Sequence, residues 1–509
     1  MTQNTPFDLI VTNNVIYIEG YIDSDIYQGL RKALSYIPEN SHFQIQHIKK
    51  TRKWDWDGRV HLVHRNKTYC KCPIKKDGIH FPTGLYSQAA AFFKQYQISY
   101  RTIDKRKKIE KSLFLEMSEN FEIRDYQTEV VEKAIKQERG IIKASTGSGK
   151  NSISAKIIKE LGVSPFVFYV PSVDLLKQSQ DEFTKFLRKD GKEIKIGAIG
   201  GGIFDPQDIT VMTIQTAVRA CGKEYIKFDD EDKIEEEDTL IDKRKEILEL
   251  IMDSKGIIID ECQHARAESC QVISDYSVSA RYKYGASATP FRDSNDDILI
   301  DACFGKIISD ISASFLIDLG YLVPPNIYFI DVKTPVQGCF TYPSIYKKFI
   351  VENNVRNGYI AKIAQSMFNE GSTVLILVKH IAHGKILEKL IPNCVFLHGI
   401  HSSKKRKEHL DKMREGKGSI TASSQIFDEG IDVRALDTLI LAGSGKSSTR
   451  ALQRIGRTLR PYISPSGEKK EYSTIIDFRD HCKYLKNHSK KREKIYRTEP
   501  RFNISDLEI

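Results

Sequence analysis

Ile141-Ile142-Lys143-Ala144-Ser145-Thr146-Gly147-Ser148-Gly149-Lys150-Asn151 is the stretch on which the fold turns. Its β-branched start reads as a strand, and Ser152–Leu161 behind it reads as a helix. The loop between them is rich in glycine and opens onto a helix N-terminus. Glycines let backbone wrap a phosphate, and the helix end provides a favourable field for its charge. Thr146, Gly147, Ser148 and Gly149 would line that cradle, and Lys150 would reach the outer phosphates of a nucleoside triphosphate. Asn151 is a departure, because a Ser or Thr hydroxyl normally holds Mg2+ at this position. An amide oxygen could ligate the ion directly or through water, so Asn151 is retained as a candidate metal ligand.

Downstream, the apolar run Ile257-Ile258-Ile259 ends in Asp260-Glu261. Asp260 would hold Mg2+, and Glu261 would orient or deprotonate an attacking water. A strand-end Asp-Glu pair is weak alone, since turns are often acidic. A phosphate loop upstream in the same α/β segment makes it strong. A third signal is Gln453-Arg454-Ile455-Gly456-Arg457-Thr458-Leu459-Arg460. Arginines three apart share one face of a helix. Arg457 and Arg460 could meet a γ-phosphate as arginine fingers. The competing reading is a solvated basic helix.

Outward from these motifs the chain alternates short apolar runs with helical spacers. The first strand series is Ile141–Lys143, Phe166–Val170, Ile194–Ile199, Ile209–Ile214, Ile257–Asp260 and Tyr284–Ala288. The second is Asn326–Val332, Thr373–Val378, Cys394–His398, Ser419–Ala422, Thr438–Ala442 and Thr474–Phe478. Near-continuous apolar strands separated by helices predict parallel sheets covered on both faces. The expected class is α/β, with two such domains and a small N-terminal α+β module. The expected boundaries are residues 1–112 for that module, 113–320 for the first α/β domain with an acidic insert at 222–255, 321–480 for the second, and 481–509 for a basic C-terminal tail. The module is expected to hold strands at Ile10–Ile18 and Arg59–His64 and helices at Asp25–Tyr36 and Ser87–Tyr96.

The chain has 509 residues and a formal net charge of +11. That charge is uneven: residues 1–112 hold 19 basic and 10 acidic side chains, whereas 222–255 hold 7 and 13. A basic module suits a polyanion such as nucleic acid, and equally suits a plain solvated surface. No apolar run is long enough for a membrane span. The N-terminus lacks the pattern of a signal peptide. Nine cysteines scattered over a long chain do not read as a disulfide framework. The expectation is a soluble, cytoplasmic protein with no membrane partner. Cys70 and Cys72 lack a second cysteine pair, so no zinc site is expected. Gly443–Ser448 imitates a phosphate loop without the same context.

In this order the motifs resemble those of superfamily-two helicases. The likeness spans residues 121–480 and implies two RecA-like domains that bind ATP and Mg2+. It implies that Arg124 and Gln127 recognise the base, and that Glu429, Gly430 and Asp432 approach the nucleotide from the second domain. It gives Gln453 a catalytic place beside Arg457 and Arg460. Pro171, Ser172, Thr213, Gln215 and Thr216 would grip a nucleic-acid backbone, and Gln263, His264, Ser287 and Thr289 would couple that grip to hydrolysis. His264 is equally readable as a structural histidine. A narrower likeness joins Lys53–Val60, Phe81–Leu85 and Val378–Gly384 to the UvsW-type branch-migration helicases of tailed phages. It implies DNA contacts from Lys53, Arg59, Lys379, His380 and Ser424.

What the likeness implies is an ATP-dependent DNA helicase acting on branched DNA, or on junctions of single and double strands. It would work as a monomer rather than a ring, in a host-cell cytoplasm, alongside replication or recombination proteins. Two other readings stay open. One is a double-strand translocase that remodels protein–DNA complexes. The other is an ATP-gated nucleic-acid binder that hydrolyses little, given Asn151.

Overall fold

The computed structural model describes residues 7–38, 41, 56–65, 78–223, 240–262, 267–289, 297–333, 341–398, 403–416, 418–423, 433–443, 448–464 and 467–508. The chain forms two compact units. One comprises residues 1–144 and 149–310, and the other residues 145–148 and 311–509.

The first unit is built on an eight-stranded sheet. Its strand order is Ile203–Asp205, Gly197–Gly200, Ile209–Thr213, Phe166–Val170, Gly256–Asp260, Tyr282–Ser287, Arg139–Ala144 and Ile307–Ile311. The six strands from Gly197–Gly200 to Arg139–Ala144 pair in parallel, and the outer hairpin of Gly197–Gly200 with Ile203–Asp205 is antiparallel. Phe166–Val170, Ile209–Thr213 and Gly256–Asp260 are buried at every position, which is why each reads as an unbroken apolar run.

A smaller sheet precedes it, in the order Ile79–Pro82, Val15–Glu19, Phe7–Val11 and Tyr100–Asp104. Helices Ser24–Ala33 and Tyr86–Gln95 accompany it. The expected single strand Ile10–Ile18 is instead a hairpin, because Thr12 Oγ1 and the Thr12 amide both bond to the Val15 carbonyl and turn the chain. Arg59–His64 is likewise shorter than expected: only Val60–His61 is a strand.

This module does not stand apart. Its apolar residues join those of the first α/β sheet in one continuous buried cluster, from Phe7 and Leu9 through Ile141 and Ile259 to Phe304. Polar contacts seal the joint. Lys283 is fully buried, and its ammonium donates to Asn14 Oδ1 at 2.7 Å and to the Ser274 carbonyl at 2.6 Å. Asn14 Nδ2 donates to the Asp275 carbonyl, and Arg139 donates to the Asn13 carbonyl at 2.7 Å. A buried ammonium is tolerated only with such acceptors, so the hairpin turn is part of the lysine's solvation.

The second unit carries a seven-stranded sheet in the order Cys394–Leu397, Ser419–Ser423, Thr373–Leu377, Thr438–Ile440, Ser473–Asp480, Pro325–Val332 and Asn503–Asp506. Its pairings are parallel. Residues 481–509, expected as a basic tail, are instead folded into this unit. Helix Lys483–Tyr496 packs on it, and Asn503–Asp506 is its edge strand. Arg492 and Asp477 form a fully buried pair at 2.8 Å that ties the helix to the sheet, with Tyr496 donating to the same carboxylate. Among the described residues no helix is long and apolar enough to cross a membrane.

Candidate nucleotide and nucleic-acid sites

The parallel strands of the first unit end on one edge, where ligands of open α/β sheets bind. Arg139–Ala144 runs into the glycine loop, and helix Lys150–Leu161 follows. Gly147 and Gly149 have φ of 90° and 78°, in the left-handed region that a side chain resists. A Cβ on Gly149 would also lie 2.4 Å from Gln127 Nε2. The loop is therefore a cradle that only glycine fits, and Gln127 is part of its wall. Gln127 is buried, and its Oε1 accepts from the Arg124 amide at 3.1 Å. Arg124 reaches the Tyr126 hydroxyl at 3.1 Å.

Lys150 bonds Glu261 across this edge. Burial alone would push the ammonium down, but the Glu261 and Asp260 carboxylates outweigh it and hold Lys150 above the usual lysine range. Asp260 is buried at the end of its strand. Glu261 follows with φ of 47°, a conformation that costs free energy in a residue other than glycine and is concentrated at functional sites. Lys150, Asp260 and Glu261 are thus brought together on this edge. The cradle, the lysine and the carboxylate pair fit a nucleoside triphosphate with a divalent cation. Among the described residues no group of three or more His, Cys, Asp or Glu side chains is placed to hold a metal ion. Cys262 and Cys270 are buried packing residues, with Cys270 Sγ near the Cys262 carbonyl.

Asn151 is turned toward the neighbouring helix, Val173–Phe186. Its Nδ2 donates to Glu182 Oε2 at 2.8 Å and lies 3.4 Å from Ser179 Oγ. With Nδ2 so engaged, only Oδ1 remains to face a metal ion. Gln178 holds the other Glu182 oxygen at 2.8 Å. No motif announces Glu182; the signal is the Gln178–Glu182 spacing on one helix face, which is common.

Ser172 caps helix Val173–Phe186, accepting from the Leu175 amide, and Pro171 precedes it. Thr213 caps Ile214–Ala220, with Thr216 Oγ1 at 2.8 Å and Gln215 in the first turn. Both caps sit at the carboxyl ends of adjacent strands. Ser287 is fully buried, and its Oγ accepts from the Thr289 amide at 3.0 Å. Arg59 donates to Ser35 Oγ at 3.1 Å, and its carbonyl accepts from the Trp56 indole at 2.7 Å. Lys53, Gln263, His264, Ser424, Glu429, Gly430 and Asp432 lie outside the described residues, as does the acidic run 229–238.

In the second unit, Lys379 lies over the rings of Tyr342 and Tyr346 at 5.8 and 5.6 Å, and His380 packs on Tyr346 at 4.9 Å. Gln453 is buried on helix Ser448–Thr458, and Arg457 is half-buried there. Arg460 lies two residues beyond the end of that helix, so the three-residue spacing aligns Arg454 with Arg457, not Arg457 with Arg460.

Comparison with known proteins points the same way. The family described as type III restriction enzyme, res subunit, matches residues 120–292, and the helicase conserved C-terminal domain matches 358–462. The ATP-dependent DNA helicase uvsW of Enterobacteria phage T4 is 24% identical over 494 residues, spanning 90% of this chain and 88% of that protein. Helicase 22 of a Sulfolobus islandicus filamentous virus is 28% identical over 376 residues, covering 67% of this chain and 62% of that relative, less than two thirds of its length. In fold, the chain is similar to the ATP-dependent type ISP restriction-modification enzyme LlaBIII, solved bound to DNA. The TM-score is 0.53 at 15% identity, over 83% of this chain and 34% of the other.

Proposed function

We propose, from the premise that this chain is an ATP-dependent DNA helicase of superfamily two resembling UvsW, that it works on branched DNA: forks, junctions and R-loops. The observation that carries the motor reading is the convergence of Gly149, Lys150, Asp260 and strained Glu261 on one sheet edge. Thr146, Gly147, Ser148 and Gly149 would cradle the phosphates, and Lys150 would meet their charge. Asp260 would hold Mg2+, with Asn151 Oδ1 as a further candidate. Bound ATP with its ion supplies the hydrolysable phosphoanhydride.

The Lys150–Glu261 bond gives this site a built-in exchange. Were Lys150 to turn to phosphate, Glu261 would exchange that ammonium for a water that it could orient and deprotonate. Arg457, with Arg460 and Gln453, would stabilise charge developing on the phosphoryl group. Ser172, Thr213, Gln215 and Thr216 would hold DNA phosphates without reading bases. Lys379 and His380 would do so from the second RecA-like domain. Preference for branches would come from the basic N-terminal module, in which Arg59 is the described member of the candidate set.

The test is ATP turnover with and without forked DNA. Stimulation by the fork, with strand displacement or junction movement that needs ATP, is expected. No turnover above background at saturating fork would overturn the enzyme reading in favour of an ATP-gated binder. Turnover without strand separation would favour a double-strand translocase.

A further inference from the structure

The seam between the N-terminal module and the first α/β sheet encloses a cleft of about 600 Å3. Arg106, Lys133, Arg139 and Lys306 line it, and Asp104 is the sole carboxylate among the described lining residues. Asp104 is already committed to Arg106 at 2.7 Å. The cleft lies at the start of strand Arg139–Ala144, whereas the glycine loop lies at its end. Five residue steps separate the two, about 17 Å at strand geometry. The ATP cradle and this cleft are therefore distinct sites at opposite ends of one strand.

The walls are preformed. Arg139 is held by the Asn13 carbonyl, and Gln88 Nε2 donates to Asp301 Oδ2 at 2.9 Å. Gly84 packs so closely on helix Asp297–Phe304 that a Cβ there would lie 2.1 Å from the Asp301 carbonyl. Arg106 is paired with Asp104 and with Glu138 at 3.0 Å, so the excess positive charge of the cleft comes from Lys133, Arg139 and Lys306, which repel one another unless an anion joins them. Burial first, and the neighbouring Arg106 second, pull the Arg139 guanidinium down to about 10.

We infer that this cleft is a second, rear-facing anion site that takes the phosphodiester backbone of a DNA arm passing behind the first RecA-like domain. The inference rests on the DNA-helicase reading and deepens it. The module would bind DNA jointly with the motor's back edge, not as a separate domain. Lys133 and Lys306 are exposed, so neutralising them leaves the fold intact.

The experiment uses the full chain carrying Lys133→Gln and Lys306→Gln together, with Lys189→Gln and Lys192→Gln as a charge control. Fork affinity is measured from 50 to 200 mM salt by fluorescence anisotropy, and binding of ADP and inorganic phosphate by calorimetry. The expected result is a loss of roughly tenfold in fork affinity and a salt slope smaller by about two, one per phosphate contact. ADP affinity and melting temperature should match the wild type. Fork binding equal to wild type, or an equal loss in the charge control, would overturn the inference. So would a change confined to ADP or phosphate binding, which would make the cleft a small-ligand site. Absence of fork-stimulated turnover in the wild type would instead strike the helicase reading itself.

Discussion

Asn151→Thr separates two roles that this position can play, one in holding a metal ion and one in holding a helix. In the structure Nδ2 spans to Glu182 at 2.8 Å and to Ser179 at 3.4 Å. A threonine hydroxyl sits one bond closer to the backbone and would not make that span. Glu182 would keep Gln178 and lose one donor. A hydrogen bond to a charged acceptor is worth about 1.5–3 kcal/mol, and Glu182 is half-buried, so the lower value of about 1.5 kcal/mol is appropriate. For a unit of this size that is a fall of about 2 °C in melting temperature. Threonine also restores the hydroxyl that phosphate loops use for Mg2+, so turnover should be kept or raised. The assays are thermal melting and fork-stimulated phosphate release. Glu182→Gln is the companion variant; it removes the charge and should leave turnover unchanged. A tenfold or greater loss of turnover in Asn151→Thr at an unchanged melting temperature would refute this reasoning, because the amide would then act in hydrolysis and not in packing.

Other perturbations read other parts of the site. Lys150→Ala should abolish phosphate release, and near-normal hydrolysis would refute the cradle. Arg457→Ala should leave nucleotide affinity nearly unchanged and lower turnover by roughly a thousandfold, as for other arginine fingers; equal loss of both would make it a binding residue. Asp301 is pushed up from 3.8 to about 6, first by burial and then by Asp297. The folded state therefore holds that proton more tightly than the unfolded chain, and stability is lost as pH rises from about 4 through about 6. Asp301→Asn should remove that loss, worth up to about 3 kcal/mol before solvent screening. Melting temperature should rise at pH 8 and change little at pH 4, and a uniform change would contradict the assignment.

The central strands were legible because burial on both faces leaves a continuous apolar run, as in Phe166–Val170 and Thr373–Leu377. Edge strands escaped that signal. Ile307–Ile311 and Asn503–Asp506 face solvent along much of their length and mix polar with apolar residues. The hairpin at Thr12–Asn14 was hidden because apolar runs flank it on both sides. The glycine loop and Asp260-Glu261 were visible because phosphate and metal chemistry demands those residues at those spacings. The Asn151–Glu182 bond and the rear cleft were not, since each joins residues far apart in sequence with no motif between them. The shared core also changes how the module is probed. Removing residues 1–112 would expose apolar surface of the first α/β sheet, so surface charges are the cleaner perturbation.

The measurement that bears most directly on the central claim is ATP-dependent processing of matched fork, four-way junction, R-loop and linear duplex substrates by the wild-type chain. Strand displacement or junction movement on the branched substrates, dependent on ATP and abolished by Lys150→Ala, with little action on the linear duplex, is the predicted result. Equal action on linear and branched DNA, or none on any of them despite ATP hydrolysis, would contradict it.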